Sequence, residues 1–428
     1  MKEIIKTIIS DFHSKSLPKL IKRDLEVPLN SGKIVSIIGP RRVGKTYFLF
    51  YLINKLAEEV ERKNLIYINF EDERLNFDSL NLNVILEAYY ELYPETEGDL
   101  YFFFDEIQEV NKWEKFVRRI YDSVSKNIFI TGSSSKLLSS EIATSLRGRA
   151  ISYELFPLNF NEYLRFKDIT IGNLSATRTK ANVIKHFNEY LLLGGFPEVI
   201  TYNDDLRYRT LQSYLDVMIF RDIIERYNIP NPLALKYLIK KALTNVGNYL
   251  SVNKIFNELK STGIKVSKDS IYLFLNYIQD AYLIFMMNIF SESINVQNTN
   301  DKKIYCIDNG LANSFSFSLS ENKGRLLENL VYLYLKSLNK NIYYSYDKRE
   351  CDFVIYDNFK VTNAIQVTVE LNKSNRDREI NGLLDAMKKF KLKKGFIITL
   401  EQKDYYKEDS LEIFVEPAWK VLLDKILF

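Results

Sequence analysis

Over its N-terminal part the sequence predicts an α/β fold, a parallel sheet covered by helices on both faces. Three observations carry this. Short apolar runs at 34–38 (IVSII), 65–70 (LIYINF), 100–104 (LYFFF), 127–131 (NIFIT) and 151–155 (ISYEL) alternate with longer helix-like stretches, as strands buried on both sides do. The first run leads directly into Gly39-Pro40-Arg41-Arg42-Val43-Gly44-Lys45-Thr46, which fits G-x-x-x-x-G-K-[ST]. The third run ends in Asp105-Glu106, two carboxylates delivered at a strand end.

Composition bounds the rest. The 428 residues suffice for two to four domains, and 46% hydrophobic content can build real cores. A net charge of +4 is too small to announce nucleic acid by itself. Cys306 and Cys351 are the only cysteines and His13 and His186 the only histidines, which argues against a disulfide framework, zinc chemistry and a Ser-His-Asp site. The start, MKEIIKTIISDFHSK, is charged and amphipathic rather than a signal peptide, and the longest apolar stretch, near 281–290, is too short to span a bilayer. A soluble cytoplasmic protein with no membrane partner is expected.

Residues 1–30 read as a helical lead-in interrupted at Leu17-Pro18, and the turn Asn30-Ser31-Gly32 precedes the first strand. In the octet, Gly39 and Gly44 let the backbone turn where a Cβ would clash. The set Gly39, Pro40, Arg41, Arg42, Val43, Gly44, Lys45, Thr46 and Tyr47 would surround the phosphate, the main-chain N–H groups of all but Pro40 converging on its oxygens, helped by the positive end of a helix over 47–57. Lys45 would reach the β- and γ-phosphates, and the Thr46 hydroxyl would hold Mg²⁺.

Glu71, Asp72 and Glu73 follow the second strand, where they could touch the metal through water or form a solvated acidic turn. Asp105 would anchor Mg²⁺ and Glu106 would polarise the attacking water, provided the backbone turns at the strand end to aim both at one site. The alternative is an acidic helix N-terminus. After the fourth strand, Thr131 or Ser133 is the candidate for sensing the γ-phosphate, and Ser133 is preferred. The turn Leu146-Arg147-Gly148-Arg149 could present an arginine finger, with Arg149 preferred. A strand separates the two phosphate-site strands in sequence, as in ATPases that carry an extra catalytic-glutamate strand.

Residues 31–156 would thus form the nucleotide core. Residues 157–230 read as a helical lid broken at Leu193-Gly194-Gly195-Phe196-Pro197-Glu198. Residues 231–295 hold helical runs at 233–244, 252–260 and 268–282 with helix-turn-helix spacing, and Ser251 and Ser267 read as N-caps. Within 231–290 seven lysines stand against Glu258, Asp269 and Asp280, so phosphate contacts with double-stranded DNA are credible. The third helix offers Lys268, Ser270, Tyr272, Asn276 and Gln279 and no arginine, a weak set for base reading. Packing or protein contact is the alternative use. Residues 296–428 read as a further α/β unit with a helix over 326–338 and strands at 351–356, 364–369 and 394–400. Glu328, Asp352 and Gln366 reproduce the spacing of a restriction-type nuclease metal site.

The pieces DFHSKSLPKLIKR, GPRRVGKTY, FFFDEIQEV with Trp113, ITGSS, LRGR, FPLNFNEYL, GGFPE, FRDI, KIYCIDNGL, ECDFVI and IQVT together resemble the archaeal and bacterial AAA-type ATPases whose C-terminal part belongs to the DUF4143 class. The resemblance implies an ATP-binding protein and a slow ATPase acting as a nucleotide-driven switch. It implies that Pro197 contacts adenine from the lid, and that a winged helix and a PD-(D/E)xK-like domain follow. An arginine finger acting in trans would need a homo-oligomer. The third nuclease motif departs from the pattern, reading Gln366-Val367-Thr368 in place of Glu-x-Lys, with Arg378 nearby as a substitute cation. The expectation is therefore a degenerate domain kept for binding or assembly. An ATP-regulated Mg²⁺-dependent DNA nuclease and a non-hydrolysing nucleotide-dependent binder are the competing readings.

Overall fold

A computed structural model describes residues 1–75, 82–132, 144–315 and 322–424. Among these residues no helix is long and apolar enough to cross a membrane. The chain divides into two compact units, Met1–Phe156 and Pro157–Phe428.

In the first unit five strands, Ile34–Ile38 (β1), Leu65–Asn69 (β2), Tyr101–Asp105 (β3), Asn127–Gly132 (β4) and Ala150–Glu154 (β5), form one sheet in the order β2-β3-β4-β1-β5. Every neighbouring pair is parallel. Every residue of β1 and β3 is buried, which is why these strands read as unbroken apolar runs rather than alternations. In the sheet β4 lies between β1 and β3, whereas β2, the strand that separates them in sequence, stands at the edge. Phe103 stacks on Phe129 across β3 and β4 with centroids 4.8 Å apart. Burying aromatic and branched side chains of this kind stabilises the layer by roughly 1.5–3 kcal/mol each. The lead-in is helical only over Lys2–Ser14, where Ile5, Ile8 and Ile9 enter the core. Lys2 and Lys6 fasten that helix to Glu91 on the helix Val84–Leu92.

The second unit begins with helices Phe160–Phe166 and Thr177–Leu193. Gly194, at φ 75°, ends the longer one, and Pro197 opens a short turn over Pro197–Val199. The helix Asp204–Val217 runs on into a π-helical stretch, Met218–Glu225, that includes the FRDI sequence. Helices Pro232–Thr244, Val252–Ser261 and Lys268–Asp280 follow, with a sheet of Tyr249–Leu250 (β6), Ile284–Met287 (β7) and Lys302–Cys306 (β8) in antiparallel order β6-β8-β7. Ser267 caps its helix by accepting from the Ser270 N–H at 3.0 Å, whereas Ser251 makes no side-chain cap bond. β8 carries this sheet past residue 295, where the sequence suggested that the segment closes.

The last module has six strands, Asn341–Tyr346 (β9), Glu350–Asp357 (β10), Lys360–Val367 (β11), Lys394–Thr399 (β12), Asp404–Glu408 (β13) and Leu411–Pro417 (β14), in the order β13-β14-β12-β11-β10-β9. Period-two alternation separates the two faces. Val354 packs with Leu383 and Met387 of the helix Arg376–Lys389, while the neighbouring Phe353 ring meets Tyr332 of the helix Lys323–Ser337.

Candidate functional site

The octet forms a tight loop between β1 and the helix Lys45–Leu56. Gly39 has φ 152°, and a Cβ there would lie 2.3 Å from the Leu155 carbonyl oxygen, so the loop can sit against the chain after β5 only without a side chain. Gly44 has φ 92° and directly precedes the helix. Lys45 is buried and curls back into the loop, donating to the carbonyls of Gly39 at 3.2 Å and Pro40 at 3.0 Å. Its ammonium lies 3.6 Å from Glu106 Oε1.

Strand alternation would send Asp105 and Glu106 to opposite faces. The backbone avoids this by entering the left-handed region at Glu106, φ 50° and ψ 45°, immediately after β3 ends. Both carboxylates then meet the loop. Asp105, with no exposed surface, accepts from the Thr46 hydroxyl at 2.7 Å, the Tyr67 hydroxyl at 2.9 Å and the Thr131 hydroxyl. Burial pushes its carboxyl above the ordinary range, and the hydroxyls of Thr131, Thr46 and Tyr67 work against that rise. Burial and the nearby Asp105 charge push the Tyr67 phenol up, so it stays a donor. The Glu106 N–H donates to Thr131 Oγ1 at 2.9 Å, and the Gln108 amide donates to Glu106 Oε2. Thr46 and Asp105 offer hard oxygen donors that fit Mg²⁺, which takes few protein ligands alongside substrate phosphates. Among the described residues no group of three or more His, Cys, Asp or Glu could hold a metal by itself.

Of the two candidates at the end of β4, Thr131, inside the strand, is the one tied to both acids, and Ser133 lies outside the described residues. Arg41 reaches Glu71 at 3.5 Å, and burial followed by the nearby Glu106 raises the Glu71 carboxyl. Arg149 does not join the loop. Its guanidinium pairs with Asp122 at 3.1 Å, and its carbonyl accepts from the Ile34 N–H at 2.9 Å, at the start of β1. The loop leaves from the other end of that strand, roughly 13 Å away at ~3.3 Å per residue. Arg147 is exposed in the same turn, at φ 51°. Pro197 is in the second unit.

Sequence reasoning missed Arg23. This buried residue donates to the Val43 carbonyl at 2.9 Å and the Phe156 carbonyl at 2.6 Å, bracing the loop from outside the motif. Its place at the end of the piece DFHSKSLPKLIKR was the one available signal.

Glu328, Asp352 and Gln366 are brought together in the second unit, but not as three metal ligands. Lys303 of β8 lies 3.0 Å from both Glu328 Oε1 and Asp352 Oδ1. Gln366 instead donates to Glu379 Oε2 at 2.7 Å, and Arg378 pairs with the same glutamate rather than with Asp352.

Residues 31–164 match the AAA domain family. Residues 184–322 match a domain of unknown function, DUF8612, a different one from the DUF4143 expected. The chain is 43% identical over 428 residues to the uncharacterized protein MJ1544 of Methanocaldococcus jannaschii, covering 96% of this chain and 93% of that one. An uncharacterized protein of Haemophilus influenzae is 28% identical over 391 residues, covering 90% and 93%. Among solved structures, the Walker-type ATPase PABY2304 of Pyrococcus abyssi aligns with a TM-score of 0.43 at 17% identity, over 74% of this chain and 95% of that one.

Proposed function

Because this chain belongs to one family with MJ1544 of Methanocaldococcus jannaschii and carries an AAA domain at residues 31–164, we propose that it is an ATPase that works as a nucleotide-driven switch. The carrying observation is the hydrogen-bonded chain Thr46–Asp105–Thr131–Glu106, which links the phosphate loop to both strand-end acids. The main-chain N–H groups of the loop and the Lys45 ammonium hold the triphosphate. Thr46 and Asp105 would hold Mg²⁺, which would supply neutralising charge for the phosphates when bound. Glu106 orients and polarises water, with Gln108 and the Lys45 ammonium fixing its two oxygens. Thr131 reports the state of the site by contact with both acids.

The finer assignments are extensions of this reading. The order helix, short strand, two helices, then two further strands of the same antiparallel sheet supports a winged helix. Exposed Lys240, Lys254, Lys260, Lys265 and Lys268 supply the positive surface for duplex phosphates. Lys241, by contrast, is engaged by Glu258 at 2.9 Å. The element order helix, three strands, helix, strand over 323–399 supports a PD-(D/E)xK-like fold, with Thr368 where its lysine would stand. Phosphate release from ATP by wild type, set beside Glu106→Gln with ATP binding measured separately, tests the proposal. Hydrolysis undiminished in Glu106→Gln would remove the proposed role.

A further inference from the structure

We infer that Lys303 is a resident cation that occupies the metal position of the C-terminal acidic cluster, so that this cluster is complete without a divalent ion and cleaves no phosphodiester.

The geometry is that of an ammonium taking its full complement of acceptors. Lys303 is 2% exposed, and its three N–H donors have three carboxylates to meet. Nζ lies 2.5 Å from Glu350 Oε1, 3.0 Å from Glu328 Oε1 and 3.0 Å from Asp352 Oδ1. Mg²⁺ draws oxygens to about 2.1 Å, so a divalent ion could take this place only with the ammonium gone and the carboxylates closed in around it. Further acceptor positions of the cluster are also taken within the protein. Glu328 Oε1 accepts from the Tyr305 hydroxyl at 2.8 Å, and Asp352 Oδ2 accepts from the Val367 N–H at 2.9 Å. Gln366 Oε1 accepts from the Asp352 N–H at 3.2 Å, while its amide nitrogen is turned to Glu379. A neutral amide at this position adds no charge for a metal.

The source of the cation also matters. Lys303 stands on β8, the middle strand of the three-stranded sheet, whereas Glu350 and Asp352 belong to β10 and Glu328 to the helix Lys323–Ser337. One ammonium therefore closes the cluster and ties two modules of the second unit. Such buried pairs hold because both partners are present; removal of one leaves uncompensated charge.

The test uses nucleotide-free full-length protein as wild type, Asp352→Asn, Lys303→Met and the double variant. Melting is followed with millimolar Mn²⁺ or with EDTA, and nicking of supercoiled plasmid is followed with Mn²⁺, with and without ATP. Wild type should show no Mn²⁺ shift beyond that of Asp352→Asn and no Asp352-dependent nicking. Lys303→Met should melt several degrees lower in EDTA and recover with Mn²⁺, and the double variant should lose that recovery. A wild-type Mn²⁺ shift or nicking activity abolished by Asp352→Asn overturns the inference, as does a folded Lys303→Met that ignores Mn²⁺. If Lys303→Met does not fold, the comparison of wild type with Asp352→Asn decides alone.

Discussion

The Thr46 hydroxyl donates to Asp105 Oδ2 at 2.7 Å, joining the first turn of the helix after the phosphate loop to the end of β3. In sequence these residues are 59 positions apart. Their contact requires β1 and β3 to end at the same sheet edge, which parallel pairing through β4 provides.

Thr131 is the joint between the two acids, since one hydroxyl serves Asp105 and the Glu106 N–H. Thr131→Val keeps the shape and leaves Asp105 Oδ1 and the Glu106 N–H without this partner. The variant should lose about 1–3 kcal/mol for each orphaned group, read as a lower urea midpoint. ATP turnover should fall more than ATP affinity. Thr131→Ser, which keeps the hydroxyl, should restore most of both.

Arg23 should matter to the candidate nucleotide site although it lies outside the motif. Its two carbonyl contacts, to Val43 and Phe156, are charge-assisted, and each is worth about 1.5–3 kcal/mol. Arg23→Met should lower the melting temperature and weaken ATP binding by calorimetry. Arg23→Lys should rescue little, because one ammonium lacks the fork that spans two separate carbonyls.

Arg149 should be silent in an isolated molecule. The exposed pair with Asp122 contributes under about 1 kcal/mol. Arg149→Ala should match wild-type turnover at low protein concentration. Any rise in specific turnover with concentration should disappear in the variant, which is how a finger supplied in trans would register.

Asp308 is buried and accepts from the Gly195 N–H at 2.6 Å and the Leu311 N–H at 2.9 Å, pinning the glycine turn before Pro197. Burial pushes its carboxyl up to about 6. The folded state therefore holds this proton more tightly than the unfolded chain does. The stability contributed by this group is largest below about pH 4 and is lost as pH rises to about 6. The difference amounts to about 3 kcal/mol. In Asp308→Asn that slope should vanish, so urea midpoints of wild type minus variant should shrink between pH 4 and 6. A constant difference would contradict the assignment.

The candidate nucleotide site was legible because its signals are local. A strand, two glycines, a lysine and a threonine fall within thirteen residues, and Asp105-Glu106 closes an apolar run. Arg23 was not legible, because its partners Val43 and Phe156 lie far along the chain. The choice between Thr131 and Ser133 turned on a single hydroxyl position that composition cannot place. In the C-terminal module β13 (DYYKE) is an exposed polar edge strand, so no apolar run announced it. Glu328 and Asp352 were found by spacing, but Lys303 comes from another sheet, and no spacing rule reaches it.

The central claim is tested most directly by single-turnover phosphate release from labelled ATP with Mg²⁺, on wild type and Glu106→Gln, with ATP binding measured on the same samples. The account predicts that both bind ATP and that phosphate release falls by about 10²–10⁴-fold in the variant. Equal release from the two proteins, or no ATP binding by wild type, would contradict it.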